Sequence, residues 1–211
     1  MEPTGPVPRL QMSNAAVQLM EVDEFLIWCL DQDGTFELVD GIPVEMMAGA
    51  SERHDVIVVN IIAALRQQLR GSGCRPTTDD TALRTRIRSV RRPDVMVTCD
   101  PPRNDVYEAI NPRMAVEVLS KSNTGVPWDR KLNEYRRHQK LDYILLVDSA
   151  VVAATLYVRN ATGWEPVDFD RFSDVVDFPK IDCRLKLAEI YEDSDLVEVP
   201  QREIDLVIPD P

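Results

Sequence analysis

A chain of 211 residues, 44% hydrophobic and 28% charged, can bury one substantial core and has room for one domain with tails, so a single functional site is expected. No apolar run approaches the roughly 20 residues that cross a bilayer, and the amino terminus lacks the basic-then-apolar pattern of a secretory signal; no membrane partner and a cytoplasmic location are expected. The net charge of −12 argues against a surface that is basic all round, because phosphate binding rests on Lys and Arg displacing counterions.

The charge is segregated, however. Residues 61–140 carry 16 basic against 9 acidic side chains, whereas residues 1–60 carry 2 against 11 and residues 141–211 carry 6 against 16. Cys29, Cys74, Cys99 and Cys183 form no CxxC pair, so neither a zinc knuckle nor a disulfide framework is expected, and all four read as reduced packing thiols.

Residues 1–13 are proline-bearing and lack apolar periodicity, and residues 198–211 are acidic and likewise proline-bearing; both read as flexible tails around a domain over 14–197. Val22, Phe25, Leu26 and Cys29 recur at helical spacing, and FELVDGIPVEMM reads as two strands around a turn at Asp40 and Gly41. Ser51 is placed to cap a long helix with Val58, Ile61, Ile62 and Leu65 on its apolar side, ending near Gly71. Strands are expected at 81–88, 94–99 and 113–119, a helix from Pro127 to about Gln139, strands at 142–148 and 151–158, short strands from Trp164 to Arg184, and a helical turn over Leu185 to Tyr191.

MAVEVLS is the most informative segment. Alternation puts Met114, Val116 and Val118 on one face and Ala115, Glu117 and Leu119 on the other, with both faces otherwise apolar. Glu117 is therefore expected to be buried, and a buried carboxylate needs a cation, a metal or a raised pKa; a structural pair with an arginine answers this as well as a metal does. Asp94, in RRPDVMV, sits at the mouth of a core strand; alone, Pro-Asp reads as a turn pair. Two carboxylates on adjacent strands with a backbone carbonyl such as that of Val118 supply the hard oxygen ligands that Mg²⁺ prefers, leaving room for waters and a phosphate.

PD followed 23 positions later by E resembles the PD-(D/E)XK nuclease superfamily, although the usual lysine two residues after the Glu is replaced by Leu119. Lys121 lies about 13 Å along an extended strand from Glu117. Lys131 flanks the buried stripe Trp128, Leu132 and Tyr135 of WDRKLNEYRRHQ; it reads either as an ordinary surface lysine or as the amine delivered to the strand mouth. The ordered set FELVDG, SERHDVIVVNIIAAL, RRPDVMV, VEVLS, KLNEY and DYILLVD resembles the Uma2 family of restriction-endonuclease-like proteins over roughly residues 20 to 190.

That resemblance implies an α/β restriction-endonuclease-like fold, a central mixed β-sheet flanked by α-helices. It also implies a Mg²⁺-dependent endonuclease, with Mn²⁺ as a substitute, that hydrolyses DNA phosphodiesters by a metal-activated water, and homodimerisation, common in this fold. Asp94, Glu117 and the Val118 carbonyl would bind metal, and Lys131 would be the relocated lysine. Glu37 in FELVDG matches an additional acid that acts on the metal through a water, and equally reads as a hairpin surface acid. His54, Ser120, Arg84, Arg86, Arg91 and Arg92 are the candidate nucleic-acid contacts, the arginines also reading as a solvated basic face. The rival expectation is a catalytically silent nucleic-acid- or protein-binding module that keeps the fold.

Overall fold

The computed structural model describes residues 18–46, 51–120 and 128–198; the expected tails apart from Glu198, which accepts the Phe172 N–H, lie outside the described residues, as do Lys121 and Pro127. The chain opens with helix α1 (Val22–Trp28), which buries Val22, Phe25 and Leu26, followed by a 3-10 turn at Cys29–Asp31. Strands β1 (Phe36–Val39) and β2 (Ile42–Glu45) pair antiparallel with Val39 opposite Ile42. Asp40 (φ 48°) and Gly41 (φ 88°) both take positive φ, the requirement of a two-residue hairpin turn whose twist matches its strands.

Helix α2 (Glu52–Gln68) is capped as expected: the Ser51 hydroxyl accepts from the His54 N–H at 3.3 Å. Its buried stripe is Ile57, Ile61, Leu65 and Leu69, with Val58 and Ile62 only half-buried, so the helix is rotated slightly from the expected Val58 and Ile62 face. Four strands follow: β3 (Arg75–Thr78), β4 (Leu83–Arg86), β5 (Ser89–Arg91) and β6 (Val95–Thr98). β4 and β5 form a tight hairpin where one strand over 81–88 was expected; residue-by-residue alternation looks the same on both sides of a two-residue turn, so pattern alone does not reveal it.

β7 (Pro112–Leu119), helix α3 (Trp128–Arg137) and β8 (Tyr143–Asp148) form a parallel crossover, and β9 (Ala154–Arg159) and β10 (Trp164–Phe169) extend the sheet antiparallel. The resulting six-stranded mixed sheet has the order β10-β9-β8-β7-β6-β3, beside a four-stranded sheet of order β2-β1-β5-β4. β11 (Val175–Phe178), β12 (Cys183–Lys186) and the short helix α4 (Leu187–Ile190) close the described chain; Leu185 and Lys186 belong to β12, not to the terminal helical turn.

The large sheet is apolar on both faces, as β7 requires. Met114, Val116 and Val118 pack with Ile57, Ile61 and Leu65 of α2 on one side, while Ala115 packs with Leu132 and Tyr135 of α3 on the other. Cys74 and Cys99 form a disulfide, correcting the expectation of four reduced thiols. The register explains it: Arg75 lies opposite Thr98 in the β3/β6 pair, so the flanking residues 74 and 99 meet, a proximity invisible in a 25-residue separation. Among the described residues no helix is long and apolar enough to cross a membrane.

Candidate active site

Val95 lies opposite Val116 where β6 and β7 pair antiparallel, so Asp94, one residue before β6, stands beside Glu117 at the same sheet end. Its Oδ2 accepts the Val118 N–H at 2.7 Å, and its Oδ1 lies 3.5 Å from His54 Nε2 in the first turn of α2. The Ser51 cap fixes that turn and so aims the histidine. Asp94, as acceptor for the His54 N–H, raises the His54 pKa against the opposing effect of burial. His54 Nδ1 is buried and lies 3.5 Å from Asp55 without forming a hydrogen bond.

Glu117 is 5% exposed and faces α3. Lys131 Nζ lies 3.1 and 3.3 Å from its two carboxylate oxygens, and the Tyr135 hydroxyl donates to Oε1. Lys131 and Tyr135, four residues apart, are neighbours on one side of the helix. Burial pushes Glu117 up to about 7; the Lys131 ammonium opposes this, and the Asp94 and Glu37 charges reinforce it. For Lys131, burial works against the charge, but Glu117 and Glu37 outweigh it and hold the amine protonated. The second acid on the amine is Glu37 itself, whose Oε1 is 3.1 Å from Nζ. At 4% exposure it is an interior residue, not a hairpin surface acid.

The candidate nucleic-acid contacts divide. Arg91 and Arg92 are buried, at 0% and 8% exposure, and this corrects their expected place on a phosphate-facing surface. Arg91 pairs with Glu37 and Glu134, and Arg92 donates to the carbonyls of Phe36, Asp79 and Asp80. Arg84 and Arg86 reach solvent, yet Arg84 is bound by Glu108 and Asp23 and Arg86 lies 3.7 Å from Asp40. Arg88, in the hairpin turn, pairs with Glu21. Ser120 follows β7 directly and is half-buried. Sequence reasoning treated Tyr135 as a packing residue and passed over Glu134; the signal that could have found them was the helix repeat, which puts both about one turn from Lys131.

Magnesium binding requires few protein donors, commonly one or two carboxylates with waters and substrate oxygens completing the shell. Asp94 and Glu117 on adjacent strand ends, one pinned by a backbone amide and the other buried, fit that donor set. Among the described residues no group of three or more His, Cys, Asp or Glu side chains is arranged to hold a metal ion.

A mixed sheet covered by helices on both faces, with acids at one strand end and a lysine above them, defines a restriction-endonuclease-like protein. The match extends to the family: residues 22–187 fit the Uma2 family, described as "Putative restriction endonuclease", and the chain belongs to it. It is 29% identical over 192 residues to the uncharacterized protein slr1290 of Synechocystis sp. (strain ATCC 27184 / PCC 6803 / Kazusa), covering 90% of this chain and 95% of that protein. Its fold is similar to a crystal structure described as "a putative nuclease belonging to DUF820" from Anabaena variabilis ATCC 29413, with a TM-score of 0.64, 16% identity, and 82% of this chain and 97% of that one covered.

Proposed function

We propose that the protein is a Mg²⁺-dependent DNA endonuclease, acting as a homodimer, whose centre is Asp94, Glu117 and Lys131. The observation that carries this reading is the approach of Lys131 Nζ, from a helix 14 residues downstream, to within 3.1 and 3.3 Å of both Glu117 oxygens. The amine gives up its hydration against Glu117 and Glu37, and the nuclease chemistry needs an amine in that place, beside the metal-binding acids.

Asp94, Glu117 and the carbonyl of Val118 would hold the ion, which supplies Lewis acidity toward a phosphodiester. The chain's own part is positional and electrostatic. Val118 N–H keeps the Asp94 carboxylate turned toward the strand end, Tyr135 keeps Glu117 from rotating, and the Lys131 ammonium stabilises negative charge developing on the phosphate oxygens and orients the attacking water. His54 and Ser120 flank this end of the sheet and would contact the substrate backbone, with Arg84 and Arg86 on the β4/β5 hairpin as further contacts once their acid partners exchange for phosphate.

The test is cleavage of supercoiled plasmid with Mg²⁺, Mn²⁺ or EDTA, alongside thermal unfolding with each metal. Metal-dependent nicking that Asp94→Asn abolishes is expected, together with a rise in Tm, since metal at 100 times its Kd stabilises the folded state by about 2.7 kcal/mol. Equal Tm with and without millimolar metal, and no cleavage of DNA, would overturn the reading.

A further inference from the structure

Behind the lysine lies a second buried ionic constellation. Arg91, on β5, donates through Nε and Nη2 to the two oxygens of Glu134, both at 2.8 Å, and through Nη1 to Glu37 Oε2 at 3.0 Å. Glu134 also accepts from the Thr85 hydroxyl at 2.7 Å and from Arg130 Nε at 3.3 Å. Burial alone would raise Glu134, but these bonds, Arg91's first, hold it below the usual carboxylate range. Glu37 Oε1 takes the Arg92 N–H at 3.2 Å and Lys131 Nζ at 3.1 Å. One continuous path therefore runs Glu134, Arg91, Glu37, Lys131, Glu117.

Stability alone does not explain such a path, because well-packed apolar residues commonly serve a core as well as buried ions do. Geometry does. A guanidinium is a rigid planar fork that fixes the mutual orientation of the carboxylates it binds. One of these, Glu134, is on α3 a single turn after Lys131; the other, Glu37, is on β1. A lysine two residues after the Glu on the same strand would have its position set by the backbone, whereas a lysine on a separate helix depends on where that helix sits.

We infer that Arg91 is a positioning residue for Lys131: through Glu134 it fixes α3 against the four-stranded sheet, and through Glu37 it fixes the carboxylate on which the ammonium rests, so that Nζ arrives at Glu117. This rests on the role of Lys131 proposed above. Arg91 itself touches neither substrate nor metal.

The test compares Arg91→Met, Glu134→Gln, Glu37→Gln and the double variant Glu37→Gln with Arg91→Met, each in the full chain. Three quantities are read: single-turnover plasmid cleavage at saturating Mn²⁺, the Mn²⁺-induced Tm shift, and the rate of Lys131 acetylation by an N-hydroxysuccinimide ester, followed by peptide mass spectrometry at a fixed interval below each Tm. A misplaced group near the reacting atoms typically costs about 10²-fold, so Arg91→Met and Glu134→Gln should cleave about that much more slowly while keeping the Mn²⁺ shift, and Lys131 should be acetylated faster. Because Arg91 acts on the lysine partly through Glu37 and partly through Glu134, the loss in the double variant should exceed that of Glu37→Gln alone but fall short of the product of the two single losses. Near-isosteric Glu134→Gln carries the test if Arg91→Met does not fold. Unchanged acetylation in Glu134→Gln, or losses that multiply in the double variant, would overturn the inference. If the parent cleaves nothing with any metal, the nuclease reading falls, and the acetylation rates still judge the strut.

Discussion

Lys131→Ala is the perturbation that separates a relocated catalytic lysine from a structural ion pair. It removes an ammonium within 3.1 Å of both Glu117 and Glu37, which are 5% and 4% exposed. Loss of one preorganised donor at a reacting centre costs about 10²–10³ in rate, or about 2.7–4 kcal/mol. Stability should fall as well, by up to about 3–5 kcal/mol, because both acids are left in the interior without that partner. Metal supplies replacement charge there, so the Mn²⁺-induced rise in Tm should be larger in Lys131→Ala than in the parent. Leu119→Lys in the same chain returns the amine to the Glu117 face about 6.6 Å along the strand, within reach of a lysine stem. Leu119 is half-buried, and its carbonyl keeps the Ser149 N–H and hydroxyl at 2.9 and 2.8 Å whatever the side chain. The substitution should thus cost only about 1–2 kcal/mol, the new stem covering part of the apolar surface that Leu119 covered. Single-turnover cleavage of end-labelled duplex and differential scanning fluorimetry read both effects. Full metal-dependent activity in Lys131→Ala would refute the assignment.

Burial, helped by Lys140 and Arg159, depresses His138 to about 4. Relative to an unfolded value near 6.5, the stability it contributes is complete above about pH 6.5 and is lost as pH falls toward 4, so His138→Gln should lessen the Tm drop between pH 7 and pH 5 by the equivalent of about 1 kcal/mol after discounting for partial exposure. Denatured, unreduced protein should show free thiols only at Cys29 and Cys183, and dithiothreitol should lower stability by up to about 3 kcal/mol through the 25-residue loop that Cys74 and Cys99 close; an unchanged Tm would count against the bridge. Asp40 pairs with Arg130 and Arg86 and sits at positive φ, where Asn is also tolerated; Asp40→Asn should release Arg86, leave Arg130 with Glu134 and tighten DNA binding about two-fold at low salt in a fluorescence-anisotropy titration, with no change expected for Asp168→Asn.

The parts of the fold that were legible in the sequence are those governed by local chemistry. Asp40-Gly41 specifies its hairpin, Ser51 its helix start, and the two-faced apolar run around Glu117 its place in the middle of a covered sheet. The β4/β5 hairpin, β3 and the Cys74–Cys99 bridge were not legible, because each depends on the register between segments, which side-chain alternation does not encode. The arginines failed for a related reason. Composition counts charges and says nothing of partners, and here Asp23, Asp40, Glu21 and Glu108 approach from segments up to 67 residues away.

For the site, Asp94, Glu117 and Lys131 were named from strand alternation, the PD…E spacing and the family resemblance, but the contacts that hold the lysine depend on three-dimensional placement. With Leu119 in the strand position, Glu117 keeps an apolar neighbour on its own face, and the pocket stays dry enough for burial to push the acid to about 7. An amine entering from above must then be both desolvated and aimed. Desolvation of a lysine is tolerable only against fixed negative charge, and Glu117 and Glu37 provide it; aim requires that Glu37 not swing away, and a second fixed cation, Arg91, provides that. If Lys131 acts as proposed, its place on a helix in place of the strand accounts for three further charged residues in the interior, Glu37, Arg91 and Glu134, which composition and periodicity would have assigned to the surface.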